Sequence, residues 1–196
     1  MESKSSIKRE LILEKAKQVF ICKGFNRVTM KDIIEACNIS RGGIYLYFLS
    51  VGEIFVEVVK RHNHTKIEGV KRSIEDSEDF HQLIDAFFSE QKEKLLNMDQ
   101  SLFAAMIEFC FSHKEQSNRD FYTEQFMNNK NIILELLKFG VSSNSINTKN
   151  IDCLANSIMY IMEGLRSKAV SSGISEDLAE EQLEVCKRMI YSELFN

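Results

Sequence analysis

The chain contains 196 residues, 44% of them hydrophobic, with no proline and only eight glycines. This composition favours long uninterrupted helices around a packed core. The five cysteines are odd in number and widely spaced, which excludes a disulfide framework and a paired-cysteine metal site. The chain has neither a run of about 18 apolar residues nor a signal-peptide pattern. We therefore expect a cytoplasmic protein with reduced thiols and no membrane contact.

The net charge of −4 is unevenly distributed along the chain. Residues 1–48 hold nine Lys or Arg and five Asp or Glu, whereas the remainder holds 16 and 24. A basic amino-terminal quarter on an acidic body is typical of a protein that presents one end to a polyanion. Lys4, Lys8 and Arg9 form either a phosphate-contacting arm or an ordinary solvated helix start, and the sequence leaves both open.

Residues 29–48 predict two short helices separated by a tight turn. Thr29 is placed to cap the first helix, Asn38 to end it in the left-handed conformation, and Ser40 to cap the second. Ile44 and Phe48, four residues apart, anchor the second helix on the core side. The side chains or backbone that then point away from the core are those of Arg41, Gly42, Gly43, Tyr45 and Tyr47. A helix this slim can enter the major groove of B-DNA, which is ~12 Å wide.

We predict DNA contacts from eight residues, namely Thr29, Lys31, Ser40, Arg41, Gly42, Gly43, Tyr45 and Tyr47. Lys31 and Arg41 are the candidates for base edges, because arginine reads guanine with two hydrogen bonds. The glycines allow close approach of the backbone, while the threonine and the tyrosines hold phosphates and set register. The alternative is an ordinary helical hairpin whose glycines form a loop.

After Ser50 the chain reads as helices joined by short polar breaks. A long helix is predicted from residue 50 to about 73, followed by a charged break at 75–79. Further helices are predicted at about 80–96, 102–111 and 117–139, the last stopped by Gly140 and the serine-rich run after it. Two final helices are expected at about 151–165 and 178–194, which makes about nine in all. The predicted fold class is therefore all-α, with a three-helix helix-turn-helix domain at the amino end.

Residues 7–59 resemble the DNA-binding domain of TetR-family transcriptional repressors. The residues that carry the resemblance are Ile12, Ala16, Phe20, Gly24, Phe25, Thr29, Ile33, Ala36, Ile39, Ser40, Gly42, Ile44, Tyr45, Tyr47, Phe48, Ser50, Glu53 and Ile54. One departure is Val51, which stands where the family has a phosphate-contacting lysine, so one backbone contact is missing. The resemblance implies a helix-turn-helix DNA-binding domain over residues 1–48 and a helical effector-binding and dimerisation domain over residues 49–196.

Helix-turn-helix proteins usually bind DNA as dimers. The resemblance implies a homodimer formed through the last two helices as a four-helix bundle. Apolar residues at helical spacing supply the candidate interface, namely Ile151, Leu154, Ile158, Ile161, Leu165, Leu183, Cys186 and Ile190. The alternatives are that this stripe packs only within the monomer, or that it serves both the monomer core and the interface.

The resemblance also implies an effector pocket between the DNA-binding domain and the dimer face. The middle of the chain is rich in phenylalanine and methionine, whose side chains adapt to apolar ligands, and a few polar groups there can orient one. The candidate residues are His62, Phe87, Gln91, Phe103, Met106, Phe109, Tyr122, Phe126 and Met159. Core filling is the alternative for each of them.

The sequence is thus interpreted as a ligand-responsive, homodimeric DNA-binding transcriptional regulator. By resemblance it is a repressor released from a palindromic double-stranded DNA operator by a small hydrophobic effector. No phosphate-binding glycine loop, Cys-x-x-Cys pair or nucleophile elbow occurs, so we predict no catalytic residue, metal ligand or cofactor. One alternative is a helical ligand-binding or protein-interaction dimer with weakened DNA binding, which Val51 and the acidic body favour. An activator with the same DNA-binding elements is another.

Overall fold

The computed structural model describes residues 4–77, 79–113 and 115–192. Within these ranges the regular structure is helical, which confirms the all-α prediction. The described α-helices are α1 Lys4–Lys23, α2 Met30–Cys37, α3 Arg41–Tyr45, α4 Val51–Glu75, α5 Phe80–Leu96, α6 Phe103–Ser112, α7 Gln116–Ser142, α8 Ile151–Ser172 and α9 Glu176–Tyr191. A single 3-10 turn, Met98–Gln100, follows α5. The last helix was predicted to reach residue 194, which lies outside the described residues.

The helix predicted to stop at Gly140 and the serine-rich run after it passes Gly140 and ends at the first residue of that run. Helix α7 continues to Ser142, and the left-handed residue of the turn that follows is Asn144, with φ of 56°. A Cβ atom built on Gly140 would lie 2.6 Å from Cε2 of the buried Phe80 ring. Glycine is therefore used at this position because a neighbouring ring fills the space that a side chain needs.

The described chain divides into two compact units. The first comprises the residues up to His64 together with 99–122, and the second comprises 65–98 and the residues from Thr123 onward. Helices α4 and α7 each contribute residues to both units. This division differs from the predicted boundary after residue 48, because the first half of α4 and the whole of α6 pack with the amino-terminal helices.

The core of the first unit is built around four phenylalanines, Phe20, Phe25, Phe55 and Phe109, here called the aromatic cluster. They come from α1, the turn after it, α4 and α6. Phe20 and Phe55 meet edge to face at 4.9 Å between ring centroids, and Phe25 and Phe109 do so at the same distance. Edge-to-face rings contribute beyond their buried area. The cluster therefore joins all the elements that surround the helix-turn-helix.

The second unit is built from α5, α8 and α9 with the adjoining parts of α4 and α7. Helix α5 packs against both α8 and α9, and this corrects the predicted dimer interface. Six of the eight residues predicted for the dimer interface are at most 7% exposed inside the single chain, namely Leu154, Ile158, Leu165, Leu183, Cys186 and Ile190. Their apolar stripes are already covered within the unit, as the monomer alternative states. Only Ile151 and Ile161 remain half-buried.

Ion pairs fasten α5 to α9 at the surface of this unit. The Lys92 ammonium lies 2.8 Å from carboxylate oxygens of both Glu176 and Glu180. Lys187 lies 2.7 Å from Asp85. Solvent-exposed pairs of this kind contribute little each, so the orientation of α9 depends mainly on the buried apolar contacts.

The close packing of Gly140 leads to a first prediction. Gly140→Ala should lower the free energy of unfolding by about 1–3 kcal/mol, because the new methyl group displaces a ring that is only 1% exposed. Gly69→Ala is the matched control, since a Cβ there meets nothing within 4 Å. The control should raise the free energy of unfolding by about 0.5–1 kcal/mol through helix propensity. Urea unfolding followed by circular dichroism measures both, and equal effects at the two glycines would contradict the packing role.

Candidate nucleic-acid interface

Helix α2 begins and ends as the sequence predicts. The Asp32 N–H donates to the Thr29 hydroxyl at 3.3 Å, and the Thr29 N–H donates to the Asp32 carboxylate at 2.8 Å, which completes a capping box. Asn38 then ends α2 in the left-handed conformation, with φ of 51°. Because Thr29 and Asp32 satisfy each other, the start of the helix is fixed by local chemistry alone.

The Asp32 carboxylate is strongly favoured in its charged form. The Lys23 ammonium donates to it at 2.7 Å, and the N–H and hydroxyl of Thr29 donate to its other oxygen. The Lys23 hydrogen bond, followed by those from Thr29, lowers the pKa of Asp32 to about 2. This group therefore ties the end of α1 to the start of α2.

Helix α3 is the candidate reading element and has only five residues. The Ser40 hydroxyl accepts from the Gly43 N–H at 3.1 Å and caps its first turn. Ile44 is the one residue of the helix that is buried, and Phe48, just beyond it, is 1% exposed. A helix this short is not stable by itself in water. Its orientation is therefore set by these two anchors in the core of the first unit.

The surface of α2 and α3 away from this core carries several of the predicted contact residues. Lys31, Arg41, Gly42 and Tyr45 are exposed. The Arg41 guanidinium lies over the Tyr45 ring, 5.9 Å from its centroid. A Cβ on Gly42 would meet nothing within 4 Å, so packing inside the protein does not require glycine there. The surface is slim, positively charged and open at Gly42.

Three predicted contact residues also have partners or packing within the protein. The Thr29 hydroxyl donates to the Asp32 carboxylate at 2.9 Å, and the Ser40 hydroxyl is the α3 cap. Tyr47 is half-buried and packs against the core of the first unit. These residues therefore hold the element in shape whether or not they also contact phosphates.

Two exposed leucines beside α3 were missed by the sequence reasoning. Leu46 is 83% exposed and Leu49 is 76% exposed. The sequence contains a signal for the exposure of Leu46. It stands between the two tyrosines of the motif and is not at the four-residue spacing of the core-facing Ile44 and Phe48. An apolar side chain on such a surface can contact the methyl group of thymine.

Helix α6 is attached to the turn after α1 by the carboxylate of Glu108. The Asn26 N–H donates to it at 2.9 Å, and the Ser112 hydroxyl donates to the Asn26 side-chain oxygen at 2.6 Å. Gly24 lies against the same carboxylate with φ of +71°, and a Cβ there would be 2.5 Å from Oε1. Both the backbone conformation and the missing side chain are thus required for this contact.

Of the three residues considered for an amino-terminal arm, Arg9 has partners within the protein. Its guanidinium donates to Glu57 of α4 at 2.8 Å and lies over the Phe48 ring, 5.1 Å from the centroid. Lys8 is exposed, and the Lys4 side chain lies outside the described part of the chain. Arg9 therefore fixes α1 to α4 and supports the residues that follow α3.

The nine predicted effector residues are divided between the two units. His62, Phe103, Met106, Phe109 and Tyr122 belong to the first, and Phe87, Gln91, Phe126 and Met159 to the second. Core filling accounts for three of them, since Met106 and Phe109 lie in the core of the first unit and Met159 is 1% exposed. A recess of about 240 Å³ beside α6 is lined by Ile107, Cys110, Phe111 and Tyr122. Only Tyr122 of the predicted set lines that recess.

The described part of the chain offers neither a metal site nor a membrane-spanning helix. No three His, Cys, Asp or Glu side chains there are grouped so that they could hold a metal ion. None of the described helices combines the length and the apolar character needed to cross a membrane.

Part of the first unit matches a family of known proteins. Residues 12–58 match the family described as bacterial regulatory proteins, tetR family. Over 117 residues the chain is 32% identical to the HTH-type transcriptional regulator YfiR of Bacillus subtilis, a stretch that covers 58% of this chain and 55% of YfiR. Over 85 residues it is 27% identical to the HTH-type transcriptional activator FasR of Mycolicibacterium smegmatis, covering 41% of this chain and 39% of FasR. The chain thus matches about half the length of the first relative and less of the second. The names are those of transcriptional regulators.

Among solved structures, the fold is shared with the reduced form of E. coli NemR. The TM-score is 0.78 at 16% sequence identity, and the alignment covers 93% of this chain and 97% of that chain. Similarity at this level of identity concerns the fold alone.

The geometry around Asp32 predicts a specific pH dependence. Because its pKa is lowered to about 2 from 3.8, its stabilising contribution is complete above about pH 4 and is lost as the pH falls toward 2. In Asp32→Asn the free energy of unfolding should therefore fall less steeply over that range than in the wild type. Urea unfolding at pH 7, 4 and 3 measures this. Glu35→Gln, an exposed position on the same helix, is the control and should keep the wild-type slope. Parallel curves for wild type and Asp32→Asn would contradict the role of the carboxylate.

Proposed function

We propose that this chain is a repressor of the TetR family of bacterial regulatory proteins, which binds a palindromic operator as a homodimer and releases it when a small effector binds. The observation that carries the proposal is the exposed surface of α2 and α3. It presents Lys31, Arg41 and Tyr45 to solvent, leaves the backbone at Gly42 open, and lies on a core that fixes its orientation.

In this proposal the exposed residues divide the reading of DNA between them. Arg41 leaves the Tyr45 ring to bind guanine through two hydrogen bonds, and Lys31 contacts a neighbouring base edge. Leu46 adds an apolar contact with a thymine methyl group. Tyr45 and the backbone at Gly42 and Gly43 lie against the sugar–phosphate chain and set the register.

The proposed dimer uses the outer surfaces of α8 and α9, because the predicted apolar stripes are occupied within the unit. Along α8 a line of exposed or half-exposed positions at 3-4 spacing carries mostly small residues, namely Cys153, Ser157, Tyr160, Gly164, Ser167 and Ser171. Half-buried positions at the same spacing on α9 are Leu178, Gln182, Val185 and Met189. Small residues let helices approach closely, and two copies would present two α3 helices to successive half-sites.

The effector response requires two states of different affinity. An effector that binds the DNA-incompetent state more tightly lowers operator affinity. Bound operator lowers the affinity for the effector by the same factor. Helices α4 and α7 each run from one unit into the other. This continuity of the chain is what supports a coupling between ligand and DNA.

One specific observation favours a second candidate function. FasR, which resembles part of this chain, is named as a transcriptional activator. The same DNA-binding surface serves either outcome, so an activator is the second candidate. Transcription from a promoter that carries the selected operator, with and without the protein, distinguishes the two.

Selection of bound duplexes from a random pool tests the proposed DNA binding. The expected product is an inverted repeat with half-sites about one helical turn apart. On that duplex, Arg41→Ala should cost about 1–3 kcal/mol and relax the preference at one base pair of each half-site. Arg72→Ala, an exposed arginine on α4 in the second unit, is the control and should bind as the wild type does. If no sequence is enriched, or if Arg41→Ala weakens all duplexes equally, base reading by Arg41 is refuted.

The proposed dimer face is tested by placing a long side chain on it. Gly164→Arg should convert a dimer into a monomer in sedimentation at micromolar concentration, because the side chain blocks the approach of the partner helix. Gly69→Arg is the matched control, since both glycines are helical and a Cβ on either meets nothing within 4 Å. Both variants should keep the helical circular dichroism of the wild type. A wild-type protein that sediments as a monomer, or a dimeric Gly164→Arg, would contradict this face.

A further inference from the structure

The second unit contains a cluster of five charged side chains from α4, α5 and α8 that the DNA-binding surface does not use. It consists of Lys66, Glu90, Lys94, Glu163 and Arg166. Two neighbouring pairs satisfy four of them, since Lys94 lies 2.6 Å from Glu90 and Arg166 lies 2.9 Å from Glu163. Three basic groups face two acidic ones, so the cluster keeps one uncompensated positive charge.

Lys66 carries that charge. Among the described residues, no carboxylate oxygen lies within 4 Å of its ammonium. Burial, together with the nearby charges of Arg166 and Lys94, lowers the pKa of Lys66 to about 7. Lys66 is half-buried, so its ammonium is costly to keep charged without a counter-ion, and a negatively charged ligand would lower that cost.

The Arg166–Glu163 pair is suited to share in such binding. Both side chains are largely buried, at 16% and 18% exposed. The ion pair uses only the Nη1 atom of Arg166. The guanidinium is planar and has five N–H donors, so it can hold a second carboxylate in the same plane.

Large apolar side chains share the helix faces that carry these charges. On α5, Phe87 lies three residues before Glu90 and seven before Lys94. On α8, Met159 lies four residues before Glu163, and Met162 lies four before Arg166. Residues three or four apart lie on one side of a helix. Both methionines are at most 2% exposed, so the charged cluster borders the apolar core of the unit.

We propose that the second unit binds an amphipathic carboxylate, with an anionic head between Lys66 and Arg166 and an apolar chain against the phenylalanine and methionines beside them. The single negative charge of a carboxylate matches the single excess positive charge of the cluster. A phosphate monoester would carry about two negative charges at neutral pH. The inference deepens the proposed function, because this ligand would be the effector.

The test compares carboxylates with uncharged molecules of the same length. Octanoate, decanoate and dodecanoate are titrated into the full-length protein by calorimetry at pH 6.5, alongside 1-octanol, 1-decanol and 1-dodecanol. At least one carboxylate should bind about tenfold or more tightly than its alcohol, because the charged hydrogen bonds are made only by the acid. Equal affinities within every pair, or no binding of any carboxylate, would overturn the inference.

Variants at Lys66 show whether this residue is responsible for the preference for a carboxylate over the matching alcohol. Lys66→Met should lose the preference for the acid while keeping the fold, since the change removes a half-buried charge that has no described ion-pair partner. Lys71→Met is the control, because Lys71 lies on the same helix, is half-exposed and pairs with Glu68 at 3.2 Å. The control should retain the full preference, and a Lys66→Met protein that also retains it would refute the assignment.

The titration of Lys66 adds a second readout. In the free protein its pKa is about 7, so above that pH the side chain is mainly a neutral amine and must take up a proton when the carboxylate binds. Affinity should therefore fall as the pH rises from 7 to 9, by up to about tenfold per unit. The other charged groups that face Lys66 are Glu90 and Lys94 on α5 and Glu163 and Arg166 on α8. Lys66→Arg should keep the preference and lose this pH dependence, and an unchanged pH profile would assign it to another group.

Failure of this inference can be told apart from failure of the proposed function. Calorimetry is carried out without DNA, and a gel shift with the selected operator is carried out separately with and without the best-bound carboxylate. If the acid binds through Lys66 but leaves the operator complex intact, the carboxylate site stands and the effector role fails. If the acid has no preference while the operator is still bound, the carboxylate site fails and DNA recognition stands.

Discussion

Helix α3, the candidate reading element, depends on a set of phenylalanine contacts that lie outside it. Helix α3 has five residues and buries one of them, so its own interactions cannot hold it in place. Phe48, at its carboxyl end, is covered by the Arg9 guanidinium, and the core beneath is organised by the aromatic cluster. Because Phe109 of α6 belongs to that cluster, the base of the helix-turn-helix includes a helix from much later in the chain.

Around this base, the groups that hold the surface in shape are largely distinct from those that face solvent. Asp32 and the Ser40 hydroxyl are engaged in caps, where each satisfies a backbone N–H that the helix cannot. Arg41 has only the Tyr45 ring against it and no described ion pair. A side chain without strong internal partners is free to bind elsewhere at little cost, which is why the exposed set, rather than the capping set, is the better guide to recognition.

The second unit shows the same contrast with charges. Lys92 and Lys187 are half-buried, and each lies against an exposed carboxylate of a neighbouring helix. Lys66 is half-buried as well, but neither carboxylate of its cluster lies within 4 Å of it. A charge partly removed from solvent is costly without a counter-ion, so the unpaired Lys66 is the less expected arrangement and the one that points to a ligand.

Local chemistry along the chain determined the helix-turn-helix and most of the helix spans. The caps at Thr29 and Ser40 and the left-handed Asn38 involve partners within about four residues, so they can be inferred without knowing the fold. The tertiary structure alone decided what covers each apolar stripe. Periodicity showed that Leu154 and Ile158 lie on an apolar face, but only the position of α5 showed that this face is buried within the chain. The packing at Gly140 and the unpaired Lys66 likewise depend on residues distant in sequence, which a one-dimensional pattern does not contain.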